Sequence, residues 1–288
     1  MMVRPRAAML TLYGDYVRNR GMEIGIGSLI KLLGNFDLSE QSVRSAVSRM
    51  CRAGLLKVRH NKVRSFYSLT EEGMSLLEEG ERRIFERKSN SWNGYWSVVV
   101  YFIPEEKRKA RDTLRQELMW MGYGPLSTAT WISPHDLSKE VEGLAKKLNI
   151  KEYVQVFQAK QLGFSNPKTV ISRCWDLDRI HKRYVNFITE YRAKLDEHRE
   201  RLKNGENIDP SEFFTERFKL IHEYRRLPYL DPDLPEDLLP KNWLRSQASA
   251  LFYEYHGMLA EKANKYFDSV LKDYQAKGVK DEVRRDRG

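Results

Sequence analysis

Between Glu40 and Arg64 the chain carries Arg44, Arg49, Arg52, Lys57, Arg59, Lys62 and Arg64 against Glu40 alone, more than half of its formal net charge of +10. Guanidinium groups fork onto the O6 and N7 of guanine or onto a phosphate, and serine hydroxyls pair with several base edges. Side chains of these kinds at this density point to recognition of a nucleic acid. Arg44, Ser45, Ser48, Arg49 and Arg52 fall on one side of a helix, opposite Val43, Ala46, Val47 and Met50. Arg44, Ser45, Ser48 and Arg49 are therefore assigned to base edges and nearby phosphates, with Arg52 and Lys57 as bystanders. Arg59, Asn61, Lys62 and Arg64 follow in a short basic stretch, suited to gripping the backbone and setting position more than sequence.

Such a face is useful only on a helix that its neighbours hold outward. Ser39 is placed to cap that helix, with Glu40 in its first turn. Ahead of it, Met9, Leu12, Tyr13, Tyr16 and Val17 predict a support helix over Pro5 to Arg20, and Ile26, Leu29, Ile30 and Leu33 a second that stops at Gly34. Behind it, Leu56 to Arg59 and Arg64 to Leu69 read as strands around His60-Asn61-Lys62, and Thr70 caps a helix from Glu71 to about Arg87. Three helices, two strands and a helix make a winged helix-turn-helix over residues 1–90. Arg87 to Gly94 reads as a linker.

A chain of 288 residues holds more than one such module, at roughly 150 residues per domain. Residues 91–172 show an apolar strand at Ser97 to Ile103, a helix bearing Ala110, Leu114, Leu118 and Met121, and room for a strand near Tyr123 to Leu126. A strand at Thr128 to Ile132, a helix with Leu137, Val141, Leu144 and Leu148, and a strand at Tyr153 to Phe157 follow. That β-α-β-β-α-β order predicts a ferredoxin-like middle domain. Residues 173–288 are helical: a stripe from Leu177 to Tyr191, a helix from Ser211 to about Arg226, a proline-rich turn from Leu227 to Pro240, and a helix from Trp243 to Lys272. The expected class is α+β.

Other chemistries find little support. Cys51 and Cys174 have no disulfide or zinc spacing, the six histidines form no HExxH or ligand pair, and no metal site is expected. Gly25-Ile26-Gly27 resembles a dinucleotide loop, but Ile30 stands where the last glycine belongs and no strand is expected ahead of it. The longest apolar run, Val98 to Ile103, is far short of a membrane span. A cytoplasmic protein without a membrane role is expected, and not an enzyme.

The whole chain resembles the PaaX family, bacterial repressors of phenylacetate degradation. The likeness rests on Arg6-Ala7-Ala8-Met9-Leu10 with Tyr13-Gly14-Asp15-Tyr16, on Ser42-Val43-Arg44 through Ser48-Arg49-Met50, and on Gly54-Leu55-Leu56. It rests further on Trp175-Asp176-Leu177, His222-Glu223-Tyr224-Arg225, Asp231-Pro232-Asp233-Leu234-Pro235 and Leu238-Leu239-Pro240. The resemblance implies a homodimeric repressor that leaves double-stranded operator DNA when phenylacetyl-coenzyme A or a related acyl-CoA effector binds. It needs no resident cofactor. Trp175, Tyr184, Phe187 and Tyr191 are candidates to line the acyl pocket, and Lys182, Arg183, Arg192 and Arg225 to meet the phosphates. The middle domain looks like the CRISPR-associated small nucleases, whose first strand ends in a metal-binding acid. Here Phe102-Ile103-Pro104 fills that stretch, so a dimerising role is expected, with a metal-dependent nuclease as the alternative.

Overall fold

A computed structural model describes residues 3–20, 23–61, 64–85, 91–163 and 166–285 of this mixed α+β chain. Two compact units emerge, one of Met1–Phe85, Phe187–Arg225 and Gln247–Gly288, the other of Glu86–Asn186 and Arg226–Ser246. The three sequence segments do not map one to one onto them, because residues 173–288 contribute to both.

In the first unit, α1 (Pro5–Leu12) begins with proline in its first turn and passes into a π turn over Tyr13–Val17 and a 3-10 turn over Arg18–Arg20. The spacing predicts one regular helix there; the widened turn instead accompanies burial of Tyr13, Tyr16 and Val17 together. A three-residue strand absent from the sequence reading, β1 (Glu23–Gly25), precedes α2 (Ile26–Gly34). Helix α3 (Glu40–Arg52) starts where expected, with the Ser39 hydroxyl accepting from the Ser42 N–H at 3.2 Å. It ends on Gly54 at φ +71°, whose N–H bonds the Cys51 carbonyl at 3.0 Å while that of Leu55 bonds Met50 at 2.9 Å. Only the left-handed conformation of a glycine closes that pair of bonds cheaply.

Strands β2 (Leu56–Asn61) and β3 (Arg64–Leu69) pair antiparallel from Leu56↔Leu69 to Asn61↔Arg64, and β1 joins on the far side of β3. Helix α4 (Glu71–Phe85) is capped by Thr70, whose hydroxyl accepts from the Gly73 N–H at 3.0 Å. A Cβ on Gly73 would sit 2.2 Å from the Leu55 carbonyl oxygen, so the strand entry and the helix leave room for glycine alone. The expected linker falls partly on residues 86–90, outside the described residues.

The same unit recruits distant helices. Tyr16 packs between Phe214 and Phe267, with ring centres 5.2 and 5.0 Å away, and Phe36 stacks on Phe218 at 4.0 Å. Phe214 and Phe218 belong to α9 (Pro210–Tyr224) and Phe267 to the long Arg245–Arg285 helix, which extends past the predicted end at Lys272.

The second unit has β4 (Tyr95–Tyr101), α5 (Arg108–Trp120), β5 (Gly124–Pro125), β6 (Thr130–Ser133), α6 (Ser138–Lys147) and β7 (Val154–Lys160). The strands lie in the order β5-β6-β4-β7, all antiparallel. Val99, Tyr101, Leu114, Leu118, Trp131 and Val141 close the core between one sheet face and the two helices. The sheet ends two residues before the predicted strand does: the Phe102 N–H turns to the Tyr153 carbonyl at 3.0 Å, leaving Phe102 exposed and Ile103 buried. Trp96 and Ile132, on the other face, are covered by α7 (Pro167–Cys174) and by Leu234, Leu238 and Leu239. Sequence periodicity missed α7, although Asn166 caps it and Pro167 opens it.

Candidate nucleic-acid interface

Helix α3 turns Val43, Ala46, Val47 and Met50 inward, each at most 2% exposed. Burial of that apolar stripe fixes the rotation of the helix, which leaves Arg44, Ser48, Arg49 and Arg52 in solvent and Ser45 half-buried. Among the described residues Arg49 and Arg52 have no hydrogen-bond or ion-pair partner, whereas Arg44 donates from Nε to Glu40 Oε1 at 2.8 Å, one turn back. The outer face thus offers two uncommitted guanidinium groups and one held by an exposed pair that a stronger anion can replace.

Next to it, β2 exposes Lys57, Val58, Arg59, His60 and Asn61, with Asn61 opposite the half-buried Arg64. Lys62 lies outside the described residues. Arg59 is committed: its Nε and Nη2 donate to the two carboxylate oxygens of Glu23 at 2.9 and 2.8 Å, and its guanidinium carbon stands 4.9 Å from the centre of the Phe66 ring. Those hydrogen bonds hold the Glu23 carboxyl below the ordinary glutamate range, against a smaller opposing effect of burial. Glu23 was missed as a site residue because β1 is too short to show periodicity. The Tyr13 hydroxyl donates to the Tyr67 carbonyl at 3.0 Å, fastening the strand pair to the end of α1.

The eight residues assigned to an effector are divided between the two units. Trp175, Lys182, Arg183 and Tyr184 belong to the second unit, and Phe187, Tyr191, Arg192 and Arg225 to the first, along or near α8 (Leu177–Lys203). The aromatic stripe is interior packing: Tyr184, Phe187 and Tyr191 are 2, 5 and 2% exposed. Phe187 lies 4.7 Å from Tyr191 and 5.6 Å from Tyr224 between ring centres. The Tyr184 hydroxyl donates to buried Asp231 Oδ2 at 2.6 Å. Asp231 accepts further bonds from Arg245 and from Trp243. Burial pushes the Tyr191 hydroxyl upward in pKa. Arg192 pairs with Glu254 at 3.2 Å, and Arg225 Nη2 lies 3.4 Å from His222 Nδ1. Lys182 is exposed and Arg183 half-exposed. Trp175 differs from the other aromatics. Its indole donates to the Gly122 carbonyl at 3.2 Å, and its ring helps line a groove of about 380 Å³ with Ile171, Leu177, Leu238 and Leu239.

Residues 4–73 match the family model of the PaaX-like protein, residues 89–171 that of the PaaX protein central Cas2-like domain, and residues 175–269 that of the PaaX-like protein C-terminal domain. The chain is also 30% identical over 256 residues to the transcriptional repressor PaaX of Escherichia coli (strain K12), across 88% of this chain and 79% of that protein. The chain belongs to the PaaX family. It is accordingly a transcriptional repressor and not an enzyme, which removes the nuclease alternative. A solved structure, uncharacterized protein Rv0674 from Mycobacterium tuberculosis, shares the fold with a TM-score of 0.59 at 19% identity, over 91% of this chain and 97% of that one. Among the described residues no helix is long and apolar enough to cross a membrane.

In this PaaX-family chain the short sequence signatures prove to be fastenings. Asp15, from the Tyr13–Tyr16 run, accepts from Arg217 Nη2, and Thr11 Oγ1 meets His222 Nδ1 at 3.3 Å. Asp231 anchors the aspartate- and proline-rich turn through Arg245.

Proposed function

We propose that the protein is a sequence-specific repressor that binds operator DNA as a homodimer, works in the cytoplasm, and leaves the DNA when phenylacetyl-coenzyme A or a related acyl-CoA binds. The first unit acts as a winged helix-turn-helix: α3 enters the major groove with Arg49, Ser48, Ser45 and Arg44 toward base edges and nearby phosphates, while β2 and β3 follow the backbone as the wing. The observation that carries this reading is Arg49, exposed in the middle of a capped helix and without a partner among the described residues. A guanidinium left uncommitted there has its full fork available for guanine.

The β5-β6-β4-β7 order supports reading the second unit as ferredoxin-like, and we assign dimerisation to that part of the chain. Two α3 helices related by a two-fold axis would read an inverted repeat whose half-sites are spaced by whole helical turns. The effector acts by differential affinity. A coupling of about 1–3 kcal/mol suffices, and operator DNA must weaken thioester binding by the same factor. The groove beside Trp175 supports an acyl group better than the buried tyrosines do.

Fluorescence anisotropy of the protein with DNA from upstream of its own operon, against random duplex, tests the reading. Tighter binding of the upstream fragment, relieved by phenylacetyl-coenzyme A, is expected. Equal, salt-insensitive affinity for both duplexes would overturn it.

A further inference from the structure

Within the first unit, Tyr266, Phe267 and Asp268 of the long Arg245–Arg285 helix each hold a different N-terminal element. The Tyr266 hydroxyl accepts from Asn35 Nδ2 at 3.2 Å, in the turn between α2 and α3. The Phe267 ring stacks on Tyr16 in the π turn that follows α1. Asp268 Oδ1 accepts from Arg20 Nε at 2.7 Å, and the same guanidinium donates from Nη1 to the Tyr16 carbonyl at 3.1 Å. Successive helix residues point about 100° apart, so three in a row grip over about 200° of the helix circumference. That stretch is fixed in rotation as well as in position.

The turn it holds decides how α3 is aimed. Asn35 Nδ2 also donates to the Lys31 and Leu32 carbonyls at 3.2 and 3.0 Å, which meets acceptors left open at the end of α2. Phe36 is buried against Phe218 of α9. Asp37 then takes φ +59°, and Ser39 opens α3. Left-handed backbone outside glycine persists where its surroundings over-determine it. One amide thus closes the support helix and meets the long helix just ahead of the cap of α3.

We infer that Tyr266 is a positioning residue for operator recognition: through Asn35 it sets the angle at which α3 leaves the turn, while Phe267 and Asp268 keep the long helix seated. The inference rests on the reading of α3 as the helix that contacts bases. Hydrogen bonds to base edges weaken steeply with misalignment, whereas attraction to phosphates carries no sequence information and tolerates a small swing. A loosened turn therefore costs discrimination before it costs affinity for random DNA.

Full-length Tyr266→Phe keeps its ring against Phe214 and loses the hydroxyl alone. It is titrated by anisotropy, well below its thermal midpoint, against the upstream fragment that the parent prefers and against random duplex. Affinity for the upstream fragment should fall about fivefold, with random-duplex affinity and its salt slope unchanged. Asn35→Ala combined with Tyr266→Phe should discriminate no worse than Asn35→Ala alone, because the two side chains act through one contact. Hydrogen exchange of the amides over residues 35–41 should quicken in Tyr266→Phe while α9 keeps its parental rates. Parental discrimination in Tyr266→Phe would overturn the inference, and so would an equal loss on both duplexes, which assigns the hydroxyl to general stability. A parent that prefers neither duplex refutes the base-contacting reading of α3 instead, and exchange in the turn then decides alone whether Tyr266 sets it.

Discussion

Arg217 Nη2 stands 3.0 Å from Asp15 Oδ1, with the two side chains 7 and 14% exposed, and so joins residues 202 positions apart inside the first unit. The same guanidinium donates to His256 Nε2 at 3.0 Å and to Asn264 Oδ1 at 3.1 Å. Removing it strands a largely buried carboxylate. Arg217→Ala should lower unfolding free energy by about 3 kcal/mol, read from urea denaturation. Arg217→Lys should recover only part of the loss, because an ammonium cannot reach three acceptors in the plane of a fork. A parental urea midpoint for Arg217→Ala would show that the network is dispensable.

Arg49→Ala should erase discrimination between operator and random duplex, a loss of about 1–3 kcal/mol confined to the specific site. Lys62→Ala should weaken both duplexes alike and reduce the slope of log affinity against log salt by about one. An Arg49→Ala protein that still selects its operator would shift base reading away from α3.

Glu23 restrains the Arg59 guanidinium of β2, and its low pKa gives the sign of a pH effect. Because the Arg59 bonds depress the folded-state value, the pair supports the fold at neutral pH and loses that contribution as pH falls below the ordinary glutamate range. Glu23→Gln should therefore bind random duplex about threefold more tightly than the parent at pH 7 and low salt. As the parent's Glu23 takes up its proton in acid, the difference should vanish. A gap between the two proteins that is constant with pH would exclude Glu23 as the restraint.

Tyr184→Phe removes a donor from buried Asp231 and should cost about 1–2 kcal/mol of stability in thermal or urea unfolding. Affinity for phenylacetyl-coenzyme A, measured by calorimetry, should stay at the parental value, since the side chain faces Asp231 and Trp243. Trp175→Ala, at the wall of an open groove, should weaken the thioester. The reverse pattern would return the aromatic stripe of α8 to the effector site.

What could be read in the sequence was whatever depends on neighbours in the chain. Ser39, the apolar face of α3 and the strand pair after Gly54 obey rules that span fewer than eight residues, and all stand where their spacing places them. The commitments of the cations were illegible, because Arg59 meets Glu23 from 36 positions away in a strand of three residues. Aromatics at helical spacing on α8 gave the same pattern whether they lined a pocket or filled an interior. Their partners, Tyr224 from α9 and Asp231 from the proline-rich turn, lie too far along the chain for any local repeat to announce them. Helix α7 carried its own signals in Asn166 and Pro167, but eight residues with few apolar positions gave no repeat to count.

Tyr16 is enclosed by rings from Phe214 and Phe267, so the segment around α1 has no finished interior until helices about two hundred positions later in the chain have been made. A premature stop after α9 would remove Phe267 and leave that interior open, with α3 losing its support in consequence. Loss-of-repression alleles should consequently include codons of the Arg245–Arg285 helix, more than two hundred positions from α1.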